Sequence, residues 1–82
     1  MSALPEPVRR WLRHLETNRR YSRHTLQAYE HDLAHLIALN PDTTVENLHE
    51  DHIRRTIARL RSQGHQPRSL ARALAAWRGF YQ

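Results

Sequence analysis

The sequence predicts an all-α domain built as a small bundle of four helices. Apolar residues recur at helical spacing in four separate stretches. No stretch is typical of a β-hairpin, because neither Asn-Gly nor Asp-Gly turns occur. With 82 residues, 39% hydrophobic residues and only two glycines, the chain is expected to form one folded domain over residues 1–82.

The first helix is expected to run from Pro5 to about Asn18, because proline is preorganised for a first helical turn. The second helix has the clearest start. Ser22 is expected to be its N-cap, with the hydroxyl accepting a hydrogen bond from the backbone amide of Thr25. This helix should end near Ala38, since a proline follows at position 41 and disfavours helix in the residue before it.

A polar loop over residues 42–47 is expected next, with Val45 and Leu48 anchored in the core. The third helix should run from about His49 to Gln63 and close on Gly64, which suits a C-cap. Acidic residues at its start and arginines at its end complement the helix dipole.

The fourth helix is expected from Pro67 to the end of the sequence, where no Gly or Pro stop signal occurs, so we expect a longer protein to continue beyond residue 82. One side carries an apolar stripe of Leu70, Leu74, Trp77 and Tyr81. The opposite side carries two guanidiniums and two residues of minimal bulk, which are Arg68, Arg72, Ala76 and Gly79. Such a face is suited to close contact with an anionic duplex.

The net charge of the chain indicates the class of partner to expect. The formal net charge is +5, and all thirteen basic residues are arginine. A GC-rich genome explains part of this bias, but arginine also binds phosphate and guanine bidentately. Because no apolar run approaches the ~18 residues needed to span a bilayer, and the first residues lack the pattern of a signal peptide, we expect a soluble cytoplasmic protein that binds nucleic acid and no membrane.

Neither catalysis nor metal binding is expected from this chain alone. Without cysteine, a disulfide framework and a Cys-based zinc site are excluded. His31 and His35 have an i, i+4 spacing that can bind zinc, but the sequence places no third ligand, so we predict no metal site. The serines suit helix caps, and two isolated glycines cannot form a phosphate-binding loop. We therefore predict no catalytic residue and no cofactor.

Polar residues at the starts of the second and fourth helices predict a DNA-binding surface. Arginine and glutamine read base edges, serine and threonine bind phosphates, and helix N termini favour anions. The alternative is that these are ordinary solvated helix faces. The candidate contacts are Arg23, His24, Thr25, Gln27, Arg68, Ser69 and Arg72.

Two blocks of the sequence resemble tyrosine recombinases of the Xer type. Residues 21–33, YSRHTLQAYEHDL, resemble the family pattern S-P-x-T-x-x-x-Y-x-x-D-L. Residues 69–81, SLARALAAWRGFY, resemble S-x-x-R-x-L-S-A-x-R-x-F-Y, in the family's order and at its separation. The resemblance implies an N-terminal core-binding domain with a SAM-like orthogonal four-helix bundle, and a catalytic domain following residue 82.

The resemblance also implies roles. In the family, the second and fourth helices face double-stranded DNA, and the full enzyme works with a partner recombinase, without metal or cofactor, to resolve chromosome dimers. Asp32 is then expected to be a structural hydrogen-bond or ion-pair partner, and Arg78 to serve either DNA or an interdomain salt bridge. Arg23 and Gly79 depart from the family's usual Pro and Ser. The rival function is a helical protein–protein interaction module that does not bind DNA.

Overall fold

Four α-helices follow one another in the computed structural model, which describes residues 4–18 and 20–82. Their bounds are Glu6–Glu16 for α1, Arg23–Ala38 for α2, Glu50–Ser62 for α3 and Pro67–Phe80 for α4, with one 3-10 turn, Val45–Asn47, between α2 and α3. The described ranges contain no β-strand, so the predicted all-α class is confirmed. No helix in these ranges has the length and apolar character to cross a membrane.

Local chemistry sets the helix ends. The backbone amide of Thr25 donates a hydrogen bond of 3.1 Å to Ser22 Oγ, which confirms the predicted N-cap of α2. After α3, Gly64 adopts a φ of +92°, and the amide of His65 donates to the carbonyl of Leu60 at 3.1 Å. This is the Schellman arrangement, which requires a residue without Cβ strain at the turn.

The other helix boundaries lie within two residues of those predicted. Pro5 is the N-cap of α1 rather than its first residue, and the helix ends at Glu16 because the chain turns at Thr17. His49 and Gln63 are the caps of α3 rather than members of it. The 3-10 turn in the loop was not expected from the sequence.

Helix α4 lies at the centre of the bundle. Helices α2 and α3 both pack against α4, and α1 packs against α2. The residues of α4 that lose nearly all of their exposed surface are Leu70, Ala73, Ala76 and Trp77. The loop between α2 and α3 closes over the core through Val45 and Leu48, as predicted, since both are buried.

Ala76 and Gly79 of α4 do not form an open surface, which corrects the expectation for this helix. Ala76 is fully buried, and a Cβ built on Gly79 would lie 3.2 Å from Cζ2 of Trp11. The ring of Trp11 stacks on Tyr29 and meets Phe80 edge-on at a centroid distance of 5.7 Å. Because α4 has neighbours on more than one side, Ala76 lies in the core and Gly79 accommodates a ring of α1 rather than a ligand.

Tyr81, directly after α4, ties the end of this helix to the loop. Its hydroxyl donates a hydrogen bond of 2.7 Å to the backbone carbonyl of Val45. Burial, followed by the negative charge of Glu46, raises the pKa of Tyr81 to about 12.

We predict that Tyr81→Phe destabilises the protein by about 1 kcal/mol at neutral pH, because one partly buried hydrogen bond is lost. A tyrosine whose folded pKa exceeds its unfolded value of about 10 stabilises the folded state fully below pH 10, and this advantage is lost as pH rises through the folded pKa. The difference between wild type and variant should therefore shrink between pH 10 and about 12. Urea unfolding of both proteins across this range measures it, and a difference independent of pH would contradict it.

Candidate nucleic-acid interface

A buried ion pair joins the two helices that carry the candidate contacts. Asp32 of α2, with a side chain only 4% exposed, accepts hydrogen bonds from Nε and Nη2 of Arg72 of α4 at 2.8 and 2.9 Å. The indole Nε1 of Trp77 donates to the backbone carbonyl of Asp32 at 2.7 Å. The expected structural role of Asp32 is confirmed, and the register of α2 against α4 is fixed at this point.

Arg72 is shared between the core and the surface. Its hydrogen bonds with Asp32 raise the pKa of the guanidinium further above its usual value. The side chain remains 40% exposed, and only two of the five N–H donors of a guanidinium are used by the carboxylate. The other donors of Arg72 can bind an anionic ligand while the pair with Asp32 stays intact.

The start of α4 provides the most accessible charge. Arg68 is exposed and makes no ion pair within the described residues, whereas Ser69, one position later, is half-buried. The N-cap residue Gln66 forms no side-chain hydrogen bond with the first turn. The first backbone amides of α4 therefore remain available to an anion.

The start of α2 is a second, separate patch. Arg23, His24 and Gln27 are exposed. Thr25 is half-buried, and its hydroxyl lies 3.0 Å from Ser22 Oγ, so the N-cap already engages it. Arg23 and Gln27 line a groove on the side of α2 that faces α1, together with Glu16.

The structure does not place the two helix starts side by side. Arg72 of α4 contacts α2 at Asp32. Ser69 of α4 lies beside His31 and His35 of α2. Thr25 precedes Asp32 by two helical turns, about 10 Å along the axis, on the same face of α2. The α4 residues therefore adjoin the second half of α2, and the candidate surface is longer than the sequence suggested.

Three histidines outside the candidate contacts named from the sequence converge at this junction. The ring centroids of His31 and His35 are 4.4 Å apart, and His65, from the turn between α3 and α4, lies 5.9 Å from His35. The i, i+4 spacing identified the first pair, whereas the third ring is brought in by the tertiary fold. Within the described ranges, no group of three or more His, Asp or Glu side chains is arranged to hold a metal ion.

Arg78 belongs to neither patch. Its Nη2 atom donates to Oε2 of Glu50, the first residue of α3, at 2.9 Å, and both side chains are about half exposed. Of the two roles expected, a salt bridge is present, but it links α3 and α4 within the domain. An exposed pair of this kind contributes at most about 1 kcal/mol to stability.

Comparison with known proteins gave one family and several relatives. Residues 8–82 match the family described as phage integrase, N-terminal SAM-like domain. A tyrosine recombinase XerC of Azotobacter vinelandii is 45% identical over 75 residues, which is 88% of this chain and 25% of that protein. XerC proteins of Pseudomonas aeruginosa and Ralstonia pickettii are 41% and 42% identical over 88% and 95% of the chain, again 25% of each relative. The chain thus spans about a quarter of the length of these relatives, and no solved structure matches it.

We predict that Arg72→Ala lowers the free energy of unfolding by about 2–3 kcal/mol, because it leaves the carboxylate of Asp32 buried without its partner. The matched control is Arg68→Ala, which removes an exposed arginine from the same helix and should change stability by at most about 0.5 kcal/mol. Urea unfolding measures both.

A double-mutant cycle with Asp32→Asn tests the cause. The loss of unfolding free energy caused by Arg72→Ala should be much smaller in the Asp32→Asn background, since no buried charge is then left without a partner. Equal losses in the two backgrounds would show that the ion pair does not account for the effect.

Proposed function

This chain belongs to the family of phage integrase N-terminal SAM-like domains, and on that premise we propose that it binds double-stranded DNA as one half of the clamp of a XerC-type tyrosine recombinase. The main support is the junction of α2 with the start of α4. There Arg68, which makes no ion pair with the described residues, lies one helical turn before Arg72 and its free donors, in a first turn whose N-cap side chain makes no hydrogen bond. A phosphate backbone complements each of these groups.

The candidate residues divide into two kinds of contact. Arg68 has an exposed guanidinium suited to a phosphate or a guanine edge, and the hydroxyl of Ser69 suits a phosphate. Arg23, His24 and Gln27 at the start of α2 are exposed and would reach a neighbouring part of the duplex. Thr25 and Arg72 were predicted with them from the sequence. The hydroxyl of Thr25 already bonds to Ser22, and the guanidinium of Arg72 already bonds to Asp32. Each would contact DNA only through the hydrogen-bonding capacity that these bonds leave free.

We propose that strand exchange itself belongs to the rest of a longer protein, since the relatives named as tyrosine recombinases are about four times the length of this chain. That protein would act in the cytoplasm with a partner recombinase in chromosome dimer resolution. The tyrosines of this chain suit packing rather than attack on phosphorus. Burial raises the pKa of both Tyr29 and Tyr81, whereas a nucleophile is activated by a base or a lowered pKa.

An amide NMR titration of this chain with a duplex carrying a recombination half-site, at low salt, tests the proposal. We expect shift changes to cluster in residues 22–35 and 65–72. An unchanged spectrum would reject DNA binding by the domain. Changes confined to the opposite surface, around α3, would instead favour the protein–protein interaction module.

We predict that Arg68→Ala weakens duplex binding and lowers the slope of log K against log salt by about 0.9, the value for one lost phosphate contact. The control is Arg55→Ala, which removes the same charge from the exposed outer side of α3. Fluorescence anisotropy over a series of salt concentrations measures both slopes. A change that is equal in the two variants would indicate a general charge effect and would contradict a contact at Arg68.

A further inference from the structure

Three imidazole rings from two parts of the chain line one pocket between α2 and α4. His31 and His35 come from α2, and His65 comes from the turn that precedes α4. The remaining wall is formed by Asp32, Leu60, Ser69, Leu70, Arg72 and Ala73. The pocket holds about 160 Å³, roughly five times the ~30 Å³ of a water molecule in the liquid, and so has room for a tetrahedral group of five heavy atoms.

The rings have no structural hydrogen-bonding role. In the described part of the chain, the side chains of His31, His35 and His65 form no hydrogen bond or ion pair. The nearest carboxylate is that of Asp32, and both of its oxygens already accept hydrogen bonds from Arg72. The ring N–H groups are therefore free to donate to a molecule that enters the pocket.

The charges around the pocket favour an anion. Asp32 of α2 and Arg72 of α4 line the pocket as an ion pair whose charges compensate each other, and α3 contributes the apolar Leu60. The charge that remains to attract an anion is therefore that of the rings themselves when they are protonated. Burial, followed by repulsion from His31 and His65, lowers the pKa of His35. An anion would relieve this repulsion, and ring protonation would strengthen its binding.

We propose that this pocket binds one phosphate group of a DNA backbone, held by His31, His35 and His65 with help from Ser69. The inference rests on the proposed function and extends it, because it adds three histidines to the predicted contacts Ser69 and Arg72. A strand that passes over the first turn of α4 beside Arg68 would bring a phosphate to the pocket mouth, where Ser69 and the free donors of Arg72 also lie.

Binding at this site is coupled to protonation. If the phosphate raises the pKa of one ring by about one unit, the duplex binds about tenfold more tightly below the pKa values of the rings than above them. Affinity for DNA should accordingly increase as pH falls from about 8 to about 5.5, with about half a proton at most taken up on binding.

The test compares wild type with His31→Gln/His35→Gln/His65→Gln, all surface or half-buried positions. His14→Gln is the control, because it removes one exposed imidazole of α1 outside the pocket. Anisotropy of a short labelled duplex at constant ionic strength gives the affinity across this pH range. Ring NMR signals give the pKa of each histidine with the duplex, with inorganic phosphate and alone.

The expected result is a pH-dependent affinity in wild type and in His14→Gln that is lost in the triple variant, with raised ring pKa values in the duplex complex. Salt-dependent binding without dependence on pH would overturn the inference and leave the proposed function standing. A pH dependence that persists in the triple variant would assign it to groups outside the pocket and also overturn the inference. If the duplex does not bind but inorganic phosphate raises the ring pKa values, the pocket is a phosphate site and the proposed function fails. If neither the duplex nor inorganic phosphate raises the pKa values of the rings, the site does not exist.

Discussion

The buried carboxylate of Asp32 is the constraint on which the arrangement of this domain depends. A charge that is only 4% exposed must be compensated where it lies, and Arg72 does this through two short hydrogen bonds. The indole of Trp77 binds the backbone of the same residue, so α4 is held at two points one and a half turns apart. Any slip of α4 along α2 would break both contacts. This register brings Ser69 and the turn before α4 against His31 and His35, and it leaves part of Arg72 facing solvent.

Local features of the fold could be predicted from the sequence, because each depends on residues close together in the chain. Ser22 needs only the amide three residues later, and Gly64 needs only the turn that it occupies. Burial of Val45 and Leu48 followed from their apolar character within a polar loop. The family was also predicted correctly, since two blocks in a fixed order identified what the match over residues 8–82 then established.

The surroundings of α4 could not be predicted in the same way. Helical periodicity identifies the most apolar stripe, but it does not tell how many other helices surround the remaining surface. Ala76 and Gly79 were expected to allow close approach of a ligand, yet Ala76 is buried in the core and the group that approaches Gly79 is the ring of Trp11. The histidine pocket was missed for a related reason. His65 is thirty residues from His35 in the sequence, and only the register set by Asp32 brings their rings together.

For the proposed DNA binding, the distribution of ion pairs matters more than the net charge of +5. Glu6 is bound by Arg9 and Arg13, and Glu50 is approached by Arg54 and Arg78, so the positive charge of α1 and of the outer edge between α3 and α4 is partly neutralised within the domain. Arg23 and Arg68 make no such pair in the described ranges. An arginine already held by a carboxylate gains less from a phosphate than a free one, because the existing pair must be weakened first. In the proposed binding, the starts of α2 and α4 keep charge that counterion release can use, as exposed arginines of α3 such as Arg55 also do. The imidazoles between the two helix starts add charge only when protonated.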